Sequence, residues 1–178
     1  TNPSAIYYIE VWRESAGNYS LVQTIDIATN TEDRYVPVRC GVYNGTFGVK
    51  VWDEIFGSGA WKHKFYKYNT TTTNYELKKT FLPDGDEFNR AIRNYGLSAY
   101  WDEIRGVYII GDGFDSTNAT YSGAIKVLDD SSTPAVKKVF LGPADNNAGL
   151  GYTFVYDGRY IISAALSVIT SGVPYDPL

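Results

Sequence analysis

Short strand-like runs, separated by turn residues and recurring along the chain, constrain this sequence more than any other feature. Between Gly96 and Leu141 four such runs follow one another: Leu97–Tyr100, Val107–Ile110, Ala124–Leu128 and Val136–Leu141. Each is rich in β-branched and aromatic residues, and the gaps hold Gly, Asp, Ser and Pro. That pattern predicts four consecutive antiparallel strands in one small sheet.

The flanking sequence reads the same way. Tyr7–Trp12 and Tyr19–Ile25 predict a hairpin across Arg13–Asn18. Tyr35–Tyr43 and Thr46–Trp52 flank Asn44-Gly45, a strong hairpin signal because both residues tolerate positive φ. Trp61–Tyr68 and Tyr75–Leu82 flank Asn69–Asn74, and Gly151–Tyr156 and Arg159–Ala164 flank Asp157-Gly158. Only Asp86–Asn94 has even partial helical spacing, enough for two turns at most.

These strands repeat with a period in the mid-fifties. Tyr19–Ile25 matches Tyr75–Phe81 at an offset of 56, and Lys78–Leu82 matches Lys137–Leu141 at 59. Tyr43–Val49 matches Tyr156–Ile162 at 113, two periods, and Gly41, Gly96 and Gly151 recur at 55. Four strands per repeat of this length is the signature of a β-propeller blade. The expectation is therefore one all-β domain of about three four-stranded antiparallel blades. Its units would span residues 7–25 in part, 35–82, 95–141 and 150–166 in part. The alternative is a β-sandwich or jelly roll whose hairpins share only turn chemistry. Because propellers use about 4–8 blades, a fragment of a longer chain or a protomer of a larger assembly is expected.

Tyr95–Leu128 resembles an FG-GAP repeat, the blade type of integrin-α-like propellers. The resemblance rests on Tyr95-Gly96, Val107–Gly111, the acidic loop Asp112–Asn118 and the strand opening Ser122-Gly123-Ala124-Ile125-Lys126-Val127. Gly149-Leu150-Gly151-Tyr152 resembles the start of another copy. It implies a propeller fold and an extracellular setting. It also implies calcium in the acidic loop, where Asp112, Asp115 and Asn118 supply oxygens beside glycine. The family's middle acid is missing, however, and no Glu closes the loop. Otherwise the same residues are expected to form a solvated turn.

A net charge of −4 argues against a nucleic-acid surface, and no apolar run approaches the roughly 20 residues that span a bilayer. The chain opens on Thr1, which reads as a mature, excised or fragmentary chain. Richness in Tyr, Thr, Asn and Gly leans towards an extracellular or virion-surface protein. Four sequons, at Asn18, Asn44, Asn69 and Asn118, fall in predicted turns where a glycan could project into water. Cys40 lies in a valine-rich run and reads as a small buried apolar residue.

Catalytic chemistry is thinly represented. The single histidine, His63, alternates with Lys62 and Lys64 in a predicted strand and reads as a surface or interface side chain rather than a base. One His and one Cys make no zinc site. Asp53/Glu54 and Asp102/Glu103 are the candidate carboxylate pairs, both expected to be solvated turn charges. Trp61 and Trp101 are the candidate ligand or partner aromatics, with core packing between blades as the alternative. The leading functional expectation is a non-enzymatic structural or adhesion module that needs no cofactor and meets other protein chains or copies of itself. A carbohydrate-binding lectin is the second reading and a glycan-processing enzyme the third.

Overall fold

The computed structural model describes residues 7–28, 42–53, 60–81, 98–113, 115–131 and 134–164, with side chains for all of these except 7, 27–28, 50–53 and 60–62. Every regular element among them is a β-strand. No helix among them is long and apolar enough to cross a membrane. Strands β1 (Tyr7–Ser15) and β2 (Asn18–Ala28) form a hairpin. Strands β3 (Val42–Tyr43), β4 (Thr46–Asp53), β5 (Ala60–Asn69) and β6 (Asn74–Phe81) form a four-stranded meander. A second meander holds β7 (Ala99–Asp102), β8 (Val107–Asp112), β9 (Ala124–Asp129) and β10 (Val136–Leu141). A second hairpin, β11 (Phe154–Tyr156) and β12 (Ile161–Ser163), follows. All strand pairings within these sheets are antiparallel.

The sequence matches occupy equivalent places in these sheets. The Tyr19, Tyr75 and Lys137 runs lie in β2, β6 and β10, each the last strand of its sheet, while Tyr43 and Tyr156 end β3 and β11, each the first. Asn44-Gly45 makes the expected two-residue turn, with φ of 47° and 71°. Other boundaries moved. The first turn shrinks to Ala16-Gly17, because both residues take positive φ and let the strands run to Ser15 and Asn18. Asp157-Gly158 instead opens a four-residue loop, since Asp157 Oδ1 accepts the Arg159 and Tyr160 amides at 2.8 and 2.7 Å. The expected strand over residues 35–41, Cys40 and the Asp86–Asn94 turns lie outside the described residues.

Each sheet packs face-on against the next in chain order. The first hairpin sends Ile9, Val11 and Ile25 onto Phe47, Val49 and Tyr66. Gln23 reinforces this contact by pairing its side-chain amide with both backbone groups of Tyr75 at 2.8 and 2.9 Å. Phe65 and Phe81 then meet Trp101, Tyr108, Ile110 and Leu128 between the two meanders. The Phe81 and Tyr108 rings stack there at 4.2 Å and 6°. Alternation decides the opposite face. Tyr108 and Ile110 point one way, while Ile109, with Tyr100 and Ile125, points the other, onto Phe154 and Tyr156. The second meander is thus apolar on both faces. Burying each such large side chain contributes about 1.5–3 kcal/mol.

The β10–β11 connection approaches the second meander so closely that their backbones touch. A Cβ at Gly111 would lie 2.0 Å from the Gly151 carbonyl oxygen, and one at Gly151 would lie 2.2 Å from that of Ala124. Gly111→Ala should therefore cost about 3 kcal/mol, because only backbone movement relieves the clash. Gly17→Ala, with φ of +81° but nothing within 4 Å, should cost about 1 kcal/mol. Urea unfolding of the two variants distinguishes contact from backbone strain. Equal losses would refute the close packing.

Candidate functional site

The β8–β9 loop and the β10–β11 connection are zipped together by their backbones. Asn147, Gly149 and Leu150 donate amide hydrogen bonds to the carbonyls of Thr120, Tyr121 and Ser122 at 2.7, 3.0 and 2.9 Å. The zipper holds two non-glycine residues in the left-handed region, Tyr121 at φ 55° and Asn147 at φ 63°. For a ring-bearing residue this backbone is uncommon, and it persists only where surrounding bonds over-determine it. The Ser116 hydroxyl supplies one more such bond, accepting the Tyr121 amide at 3.1 Å.

Between these segments lies a cleft of about 300 Å³, within the range of small-ligand sites. Its walls include Gly113, Tyr121, Ala148, Gly149, Tyr152 and Thr153, and none of its described lining side chains is charged. The side chains of Tyr121 and Tyr152 are 46% and 43% exposed at this opening. Neither tyrosine was singled out from sequence. Among 16 tyrosines, it is their shared place in the wall of this cleft that marks these two.

Beneath the loop, Asp112 and Asp115 do converge, but on a lysine. The Lys126 ammonium lies 3.3 Å from Asp112 Oδ2 and 3.0 Å from Asp115 Oδ2, and all three side chains are nearly inaccessible. Burial pushes the Asp115 carboxyl up. Hydrogen bonds from Thr117 and Lys126, with the Lys126 charge, outweigh it and hold the group below the usual carboxylate range. Asn118 turns away and donates its amide to the Gly142 carbonyl at 2.8 Å. In this arrangement the three residues do not form a calcium cage: an ammonium sits between the carboxylates and the amide is engaged elsewhere. No group of three or more His, Cys, Asp or Glu able to hold a metal occurs among the described residues. The alternative, a solvated turn with Asx hydrogen bonds, is met in part: Asp115 Oδ1 accepts the Thr117 amide at 2.8 Å and Ser116–Asn118 are exposed, but Asp112 and Asp115 are buried.

Asp102 is the other buried charge, and it is not the solvated turn carboxylate expected from its position. Its Oδ2 accepts the Tyr156 hydroxyl and the Arg105 guanidinium, each at 2.7 Å, while Oδ1 accepts the Ile104 and Arg105 amides at 3.0 and 3.1 Å. Arg105 also reaches the Tyr43 hydroxyl at 3.3 Å. One carboxylate thereby ties β3, β7 and β11 together. Its burial raises the pKa, but the bonds from Tyr156 and Arg105 prevail and hold it below the ordinary value. Glu103 instead forms an exposed ion pair with Lys67.

Of the two places expected for His63, the surface and an interface, the structure gives the second: it is buried where the two meanders meet. Its Nδ1 meets the Tyr108 hydroxyl, and it packs beside Phe65 between the meanders. The alternation with lysines could not decide between them, because it does not report that the face His63 shares with Phe65 is covered by the next sheet. Trp101 is also buried there, donating its indole N–H to Asp130 Oδ2 at 3.3 Å. It presents no stacking face to solvent. Trp61 lies in β5 opposite Trp52, with its side chain outside the described set. Of the sequon asparagines, Asn18 and Asn44 sit exposed at hairpin turns, whereas Asn69 donates to Glu76 and accepts the Thr71 amide, both at 2.9 Å. No protein-family model, no curated protein and no solved structure matches this chain.

Proposed function

We propose that the chain is a non-enzymatic structural and adhesion module of FG-GAP-like propeller blades, acting outside the cell or on a virion surface through contact with copies of itself. The observation that carries the reading is β10. It is the edge of its sheet among the described residues, and all six of its residues are exposed, including Val136, Val139, Phe140 and Leu141. Such an edge offers both unpaired backbone groups and apolar area to a partner strand. The strand is also self-complementary. Two antiparallel copies centred between Lys138 and Val139 would set Lys137 against Phe140 and Lys138 against Val139, so no lysine would oppose another. Lys138 already lies 5.1 Å from the Phe140 ring centroid in one copy. Meanwhile Asp102, Asp112 and Asp115 are occupied in holding sheets and loops together, which leaves little for acid–base chemistry.

Analytical ultracentrifugation tests this reading. The chain should sediment as a multiple of 19.8 kDa, and Val139→Lys combined with Phe140→Lys should weaken association by about tenfold or more. A monomer at every concentration up to about 100 µM would refute it. The extracellular setting has its own check. In a eukaryotic secretory host, Asn18 and Asn44 should carry glycans, and Asn118, whose amide serves Gly142, should stay bare. Intact mass before and after glycosidase treatment reads the occupancy. A chain bare at Asn18 and Asn44 would count against the proposal.

A further inference from the structure

We infer that the cleft between the β8–β9 loop and the β10–β11 connection is a binding site for a neutral saccharide, with one sugar face laid on the tyrosine rings. The inference is independent of self-association, since β10 contributes nothing to the cleft walls.

The walls of a pyranose site need flat aromatic surface for the C–H face and a few hydrogen-bonding groups for the hydroxyl rim. Tyr121 and Tyr152 supply the first, half-exposed at the mouth of the cleft. The Asn147 amide and the Thr153 hydroxyl, which also lies 3.4 Å from Ser98 Oγ, supply the second, each able both to donate and to accept. No described lining side chain is charged, so neither phosphate nor a carboxylated sugar finds a counter-ion there. The ionic groups described beneath the loop, Asp112, Asp115 and Lys126, are buried and engage one another rather than the cleft.

Rigidity is the second argument. Tyr121 and Asn147, both in the cleft wall, are non-glycine residues held at positive φ on facing sides of the zipper. Their backbones are locked before any ligand arrives, which removes an ordering cost from binding. Gly113 completes the arrangement. A Cβ there would come within 3.1 Å of the Tyr152 ring carbon Cδ2, so glycine lets the ring lie flat against the loop.

The test is titration of the intact chain with a panel of neutral mono- and disaccharides, followed by ligand-observed NMR, with a glycan array to widen the panel. At least one neutral sugar should bind with a Kd of about 1 mM or better. Tyr152→Ala should then weaken it about tenfold or more, while Tyr152→Phe, which keeps the ring, stays within about threefold. Both positions are exposed, so melting temperature should be unchanged and loss of binding cannot be ascribed to unfolding. Three outcomes overturn the inference: no response to any neutral sugar at about 10 mM, binding insensitive to both Tyr152→Ala and Tyr121→Ala, or preference for an aromatic peptide over every sugar.

Discussion

Asp102→Ala is expected to destabilise the fold by about 2–4 kcal/mol, because it leaves buried hydrogen-bond donors without their acceptor. Four donors converge on this carboxylate: the Tyr156 hydroxyl, the Arg105 guanidinium and two backbone amides. Alanine would strand the Tyr156 hydroxyl inside the contact between β7 and β11 and release Arg105 from Tyr43. Asp102→Asn should cost less, about 1–2 kcal/mol, because Oδ1 can still accept the Ile104 and Arg105 amides. Urea unfolding followed by tryptophan fluorescence measures both, with an unchanged slope showing that only stability moved.

The same residue carries a pH signature. Its folded pKa lies below the ordinary value, so the folded state binds this proton less readily than the unfolded chain. The stabilisation is therefore fully present above the unfolded carboxyl pKa of about 3.9 and fades as pH falls through the depressed value. The difference between wild type and Asp102→Ala should be constant near neutrality and narrow below about pH 4. A difference that widens in acid would reverse the assigned direction.

Lys126→Met should be at least as damaging, about 3–5 kcal/mol at pH 7, because here both sides of the ion pair are buried. Methionine fills much of the same space but takes away the positive charge that lies 3.3 and 3.0 Å from Asp112 and Asp115. Here the pH dependence has the opposite sign. Without the ammonium, burial dominates and favours protonated carboxyls, so the variant should recover part of its loss as pH falls from 7 towards 4. Calcium should rescue little, since Asn118 remains committed to Gly142. Full restoration by millimolar calcium, read as a rise in melting temperature, would show that the loop can still be turned into a metal site.

Strand identity was legible because it rests on local rules. Asn44-Gly45 adopts the positive φ pair that its turn demands, and the Val136–Leu141 run became β10 without a shift. The in-phase matches landed on equivalent strands because a repeated pattern of apolar side chains and turns reproduces the same meander. Boundaries failed where a side chain competed with the ladder, as Asp157 did by capturing two amides that a tighter turn would have freed.

The roles of individual residues were legible only in part. Lys126 read as one position of a repeat motif, and nothing local distinguishes a surface lysine from one closing over two carboxylates. Trp101 and His63 likewise stayed open between surface and interior because alternation reports which face a residue occupies, but not whether another sheet covers that face. Tyr121 was invisible because its importance comes from a backbone angle imposed by residues 147–150.

By itself, then, the sequence determined the all-β class and the succession of short antiparallel strands, since hydrogen-bonded turns and period-two alternation depend on neighbours a few residues away. Tertiary structure alone decided which charges are buried, which aromatics are spent on packing and where a cleft opens. Those properties arise when segments tens of residues apart, such as Asp102 with Tyr156 or Tyr121 with Gly149, exclude water from one another, and no local pattern encodes which segments will meet.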